Sequence, residues 1–97
     1  MTKVKPLLGR TGKPVANQYV ITDNHGIEYF QSYKSIIARK VLYAMATGTE
    51  DTVELDEKYW NYSVTTSKYR NQFLGESTKE TLAKIDSGEY KLVDLNN

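Results

Sequence analysis

The run from Trp60 to Gly75 constrains this chain more than any other stretch. Trp60-Asn61-Tyr62-Ser63-Val64-Thr65-Thr66-Ser67-Lys68-Tyr69-Arg70-Asn71-Gln72-Phe73-Leu74-Gly75 reads as a helix with a start and a stop. Ser63 or Asn61 can cap it, because a short polar side chain accepts a bond from a free first-turn N–H. Thr66, Tyr69 and Phe73 follow helical spacing, with Tyr62 one turn earlier, and mark the face that anchors the helix. Gly75 supplies the left-handed residue that ends it. Val64, Thr65 and Thr66 are poor helix interiors but are tolerated in a first turn. Lys68 and Arg70 fall in the second half, where cations suit the helix dipole. Just beyond, Ser77-Thr78-Lys79-Glu80 has the form of a capping box. It opens a second helix through about Asp86, with Leu82 and Ile85 facing inward and Gly88 past its end.

Strands are expected on either side of these helices. Residues 17–33 read as a β-hairpin: Tyr19-Val20-Ile21-Thr22, a turn at Asp23-Asn24-His25-Gly26, and a return through Ile27 to Tyr33. Residues 36–47 fit two readings. Ser35 as a cap, Gly48 as a stop and Ile37, Val41, Ala44 and Met45 on one face make a helix. Alternatively, Ile36 to Met45 is a strand, Gly48-Thr49-Glu50-Asp51 a turn and Thr52-Val53-Glu54-Leu55 the returning strand. Glu89 to Leu95 alternates and forms a final strand. Pro6, Gly9, Gly12 and Pro14 mark residues 1–14 as an extended basic arm carrying Lys3, Lys5, Arg10 and Lys13. The expected fold is α+β: a small, mostly antiparallel sheet of N-terminal hairpin, middle strand pair and C-terminal strand. Two short helices pack on one face, and residues 15–97 form one domain.

Composition narrows the function classes. With 97 residues, 26% charged, 39% hydrophobic and a mean hydropathy of −0.59, the chain suits one soluble domain. No apolar run approaches the roughly 20 residues of a membrane span, and no signal peptide is expected. There is no cysteine, so a cytoplasmic location is the default. A net charge of +1 argues against binding nucleic acid by bulk charge. The charge is nonetheless uneven. Residues 1–14 and 58–70 carry cations and no acid, whereas Glu50, Asp51, Glu54, Asp56 and Glu57 cluster without a base.

Catalytic machinery is thin. His25 is the sole histidine and sits in a turn. Gly9 to Lys13 is too short for a phosphate loop, and Pro14 stands where a Ser or Thr would be needed. The acidic cluster can hold Mg²⁺ or Ca²⁺ in principle, but it lacks calcium-loop spacing and reads as a solvated loop. Capping explains Ser63 without a nucleophile. No catalytic residue, cofactor or metal is assigned.

The combination Ala16-Asn17-Gln18, Tyr29-Phe30-Gln31-Ser32-Tyr33 with Ser35-Ile36-Ile37-Ala38, and Tyr59-Trp60-Asn61-Tyr62-Ser63 followed by Thr65-Thr66 and Lys68-Tyr69-Arg70-Asn71-Gln72-Phe73-Leu74-Gly75 resembles a family of small bacteriophage-encoded proteins without an assigned activity. The resemblance spans roughly residues 15–95. It departs over residues 39–52, where a shorter hairpin is expected. It implies a phage origin, the cytoplasm of an infected host, and the occupations of small phage proteins: blocking host defence, redirecting a host enzyme or handling phage nucleic acid.

The polar side of the Trp60–Gly75 run is the candidate surface. Trp60, Ser63, Thr65, Ser67, Lys68, Arg70, Asn71 and Gln72 combine hydrogen-bonding groups, charge and a flat aromatic ring. The bland alternative makes them a cap and a solvated helix face. Three functions follow. The first is a non-enzymatic inhibitor or modulator of a host protein. The second is a nucleic-acid or nucleotide-binding module using residues 63–72 and the basic arm. The third is a small metal-dependent enzyme using the acidic cluster. They rank in that order. Exposed strand edges also permit a homodimer.

Overall fold

Asp23 sets the first hairpin. Its Oδ1 accepts from the backbone N–H groups of His25 (2.9 Å) and Ile27 (3.0 Å), and Gly26 takes a positive φ of 80°. This Asx-type turn joins β2 (Pro14–Thr22) to β3 (Glu28–Ser32) in antiparallel register, as expected. The computed structural model describes residues 2–41 and 52–96. Among these, β1 (Lys3–Leu8), β2, β3, β4 (Ser35–Val41), β5 (Thr52–Asp56) and β6 (Tyr90–Val93) make a six-stranded sheet in chain order. The first four pairings are antiparallel and the last is parallel. A parallel neighbour requires a crossover. That crossover is the helical pair α1 (Val64–Leu74) and α2 (Thr78–Asp86).

The basic arm is corrected. Residues 3–8 pair with β2, Lys3 opposite Thr22 and Pro6 opposite Tyr19, and Leu7 is buried in the core. Pro6 is tolerated because β1 is an edge strand that need not donate on its outer side. The Gly9–Lys13 segment is the connecting turn, closed by Gly9 N–H to the Lys13 carbonyl at 2.8 Å.

Residues 35–41 are strand, not helix. The remainder of that ambiguous segment, with Glu50 and Asp51, lies outside the described residues. Ile37 is an inserted bulge residue: Phe30 faces Ala38 while Gln31 faces Ile36. The row Val20, Phe30, Ala38, Leu55 crosses the sheet in register and forms the inner face with Tyr90. Phe73 of α1 stacks on Phe30 with ring centroids 5.7 Å apart. Leu74, Tyr69 and Ile85 close the edges of this core.

Both helices start as their caps require. Ser63 Oγ accepts from Thr66 N–H (3.1 Å), and Ser77 and Glu80 form the reciprocal capping box. Gly75 ends α1 at φ 72°. Three inward assignments change. Tyr62 is exposed, and Thr81, not Leu82, is the buried residue of α2. Arg70 is fully buried. The cation at the C-terminus of α1 comes instead from β4: Lys40 Nζ donates to the Phe73 carbonyl at 2.6 Å and lies 4.3 Å from the Phe73 ring centroid.

Candidate functional site

Arg70 organises the start of the helical pair from inside. Its NH1 donates to the Trp60 carbonyl (2.5 Å) and Asn61 Oδ1 (3.2 Å), and its NH2 donates to Asn71 Oδ1 and Thr78 Oγ1 (both 2.8 Å). Its guanidinium carbon is 5.1 Å from the centroid of the Trp60 ring. None of these partners is a carboxylate. Burial pulls the guanidinium below its ordinary pKa, and the charge of Glu76 works against that. The expectation that Arg70 presents its charge on an exposed polar face is therefore corrected. Nothing local signals this, because Arg is buried only when tertiary acceptors surround it.

Three of the residues that supply these acceptors, Asn61, Asn71 and Thr78, also line a surface groove of about 1100 Å³. Along α1 it is lined by Ser63, Val64, Ser67, Lys68, Tyr69, Asn71 and Gln72. Gly9, Arg10 and Thr11 of the β1–β2 turn form the facing wall, and Asn61, Tyr62 and Thr78 complete it. Gln72 Nε2 donates to the Leu8 carbonyl and ties the two walls together. Ser67 Oγ donates to Asn61 Oδ1 at 2.7 Å. Lys68 is exposed, with Nζ 5.2 Å from the Tyr69 ring centroid.

The eight sequence candidates thus divide. Ser63, Ser67, Lys68, Asn71 and Gln72 meet in the groove. Trp60 is half-buried against the core, Arg70 is interior, and Thr65 is exposed outside the groove lining. Sequence reading joined Arg10 to α1 only as part of the basic arm in the nucleic-acid alternative, and it did not single out Thr11. A basic residue in a Gly-rich turn was the available sign, but only the β1–β2 pairing brings that turn beside the helix.

Two further carboxylates have structural partners. Asp56 accepts from the backbone N–H groups of Lys58 (3.0 Å), Tyr59 (2.8 Å) and Leu95 (2.9 Å) and from Asn96 Nδ2 (2.9 Å). Burial alone would raise its pKa, but these four donors outweigh it and hold the carboxyl below its ordinary value. Glu76 accepts from Thr81 Oγ1 (2.5 Å), Lys84 Nζ (2.8 Å) and the Tyr90 hydroxyl (2.7 Å). Its burial is likewise outweighed, and its pKa falls. Of the acidic cluster, Glu54 pairs with Arg39 across β4–β5 and Glu57 is exposed. Among the described residues, no group of three or more His, Cys, Asp or Glu side chains converges as metal ligands would. No helix among them is long and apolar enough to cross a membrane.

The fold defines a small α+β protein in which two capped helices carry the chain between parallel strands of an otherwise antiparallel sheet. The chain belongs to a family of unknown function (DUF8033), whose model matches residues 2–89. That span includes β1, both groove walls and both helices. Comparison with curated proteins and with solved structures gave no match.

Proposed function

We propose that this is a phage-encoded, non-enzymatic binding protein that inhibits or modulates a host protein in the cytoplasm of the infected cell. The groove between α1 and the β1–β2 turn is its contact surface. The observation that carries this reading is the convergence of Ser63, Ser67, Lys68, Asn71 and Gln72 in one concave surface with Arg10 opposite. Tyr62 and Tyr69 add flat, amphipathic area of the kind that concentrates binding energy. Phage origin and host target rest on the resemblance of the Tyr59–Gly75 motif. No cofactor enters.

The test is capture from host lysate, with and without nuclease, by the wild-type protein and by the Tyr62→Ala, Lys68→Ala double variant. A host protein that survives nuclease and is lost from the variant supports the reading. Equal capture by both proteins removes the groove from it. A second reading, a nucleic-acid or nucleotide-binding module, draws on the acid-free N-terminal segment and on Arg10 and Lys68 at the groove. Recovery of nucleic acid alone, with affinity falling steeply as salt rises, would favour it.

A further inference from the structure

On the premise that the groove is a partner-binding surface, we infer that its ligand is an acidic segment of a protein: carboxylates beside an apolar side chain. Charge comes first. Among the described residues, none that lines the groove is acidic, while Arg10 comes from the β1–β2 turn and Lys68 from α1. Beneath this lining lies a third cation. Arg70 is fully buried, and Asn61, Ser67, Asn71 and Thr78, which line the groove, are among its hydrogen-bond partners. All are neutral. Among the described residues this guanidinium has no hydrogen-bonded carboxylate, so its charge is offset only from a distance. The acid that acts on it, Glu76, is already bound to Lys84 at 2.8 Å. The first turn of α1 carries no acid either, unlike that of α2 with Glu80.

The second observation is orientation. Arg70 holds the Oδ1 atoms of Asn61 and Asn71 toward itself, which fixes the sense of both carboxamides. Asn71 Nδ2 then donates to Thr78 Oγ1 (3.2 Å), whereas the Nδ2 of exposed Asn61 has no acceptor among the described residues and is open to an incoming one. The third is apolar. Val64 is 88% exposed and Tyr62 48% exposed, and both line the groove at the helix start. A peptide side chain uses such a patch. A phosphate backbone gains little from Val64 and would find, among the described residues, only Arg10 and Lys68 as exposed cations in the groove lining, so a protein segment is favoured over nucleic acid.

The test titrates the ¹⁵N-labelled 97-residue chain with short peptides of equal length alternating Glu–Leu, Gln–Leu and Glu–Ser, and with an oligothymidine, reading amide shifts. The Glu–Leu peptide should shift Arg10, Asn61, Lys68 and Asn71, bind at least about tenfold tighter than either other peptide, and weaken with salt. Arg10→Glu with Lys68→Glu, both at exposed positions, should cost about tenfold in its affinity. Equal affinity for the Gln–Leu peptide, tighter binding of oligothymidine, or no shift in the groove overturns the inference. The captured host partner separates the two levels. Retention by the charge-reversed variant but loss with Tyr62→Ser, Val64→Ser keeps the groove and ends the acidic-segment inference. Retention by both variants ends the groove reading itself.

Discussion

A guanidinium held by neutral oxygens stabilises the fold only while every acceptor is in place. Truncating Arg70 leaves the part-buried Trp60 carbonyl and Thr78 hydroxyl without this donor. Arg70→Met is therefore expected to lower unfolding stability by about 2–4 kcal/mol in urea denaturation, while Lys68→Ala changes it by less than about 0.5 kcal/mol. Asp56 makes the corresponding pH prediction. Its folded pKa is depressed, so its stabilisation is complete above the unfolded carboxyl range near pH ~4 and is lost as pH falls through the folded value. Asp56→Asn should cost about 2 kcal/mol at neutral pH. The gap from wild type should then shrink in acid, read by thermal melts across pH. Tyr90 gives the alkaline arm. Burial first, then Glu76, pushes its hydroxyl up to about 12, so the stability it contributes is present below its unfolded value of 10.0 and lost as pH rises through that window. Gln18 is fully buried with neither amide atom bonded among the described residues. A near-isosteric Gln18→Met removes that desolvation cost and should leave Tm unchanged or raised.

At the scale of elements, the caps were readable and the inward faces less so. Ser63, Gly75 and the Ser77–Glu80 box act on backbone groups a few residues away, so their chemistry is complete within the sequence that shows it. Gly75→Ala meets no atom within 4 Å of the new Cβ, which leaves only the strain of φ 72°. It should cost about 1 kcal/mol by urea denaturation. The apolar spacing of α2 pointed to Leu82, whereas the structure buries Thr81, whose hydroxyl donates to Glu76. A polar network between Glu76, Lys84 and Tyr90 decides that face, and these residues lie up to 14 positions apart. Arg70 misled for the same reason: its acceptors come from the chain before α1, from α1 itself and from α2.

For the whole molecule, the first ten residues separate two pictures. A mobile arm could be removed without consequence. An edge strand that buries Leu7 and carries one wall of the groove could not. Deleting residues 1–10 should lower Tm by more than about 8 °C and abolish any groove-dependent capture, as read by calorimetry and pull-down. The sheet shows where local information ends. Its β2–β3 hairpin, helix caps and α+β class follow from turn chemistry, β-branched runs and capping residues, all of which act over a few positions. The pairing of β1 with β2, the parallel addition of β6 beside β5, and the approach of Arg10 to α1 depend on which surfaces meet once the core closes around Phe30 and Phe73. The run from Trp60 to Gly75 specified a helix by itself. Tertiary packing decided that its arginine turns inward to hold the fold while its lysine and amides line a groove. A charge goes wherever acceptors replace its water, and those acceptors come from elsewhere in the chain.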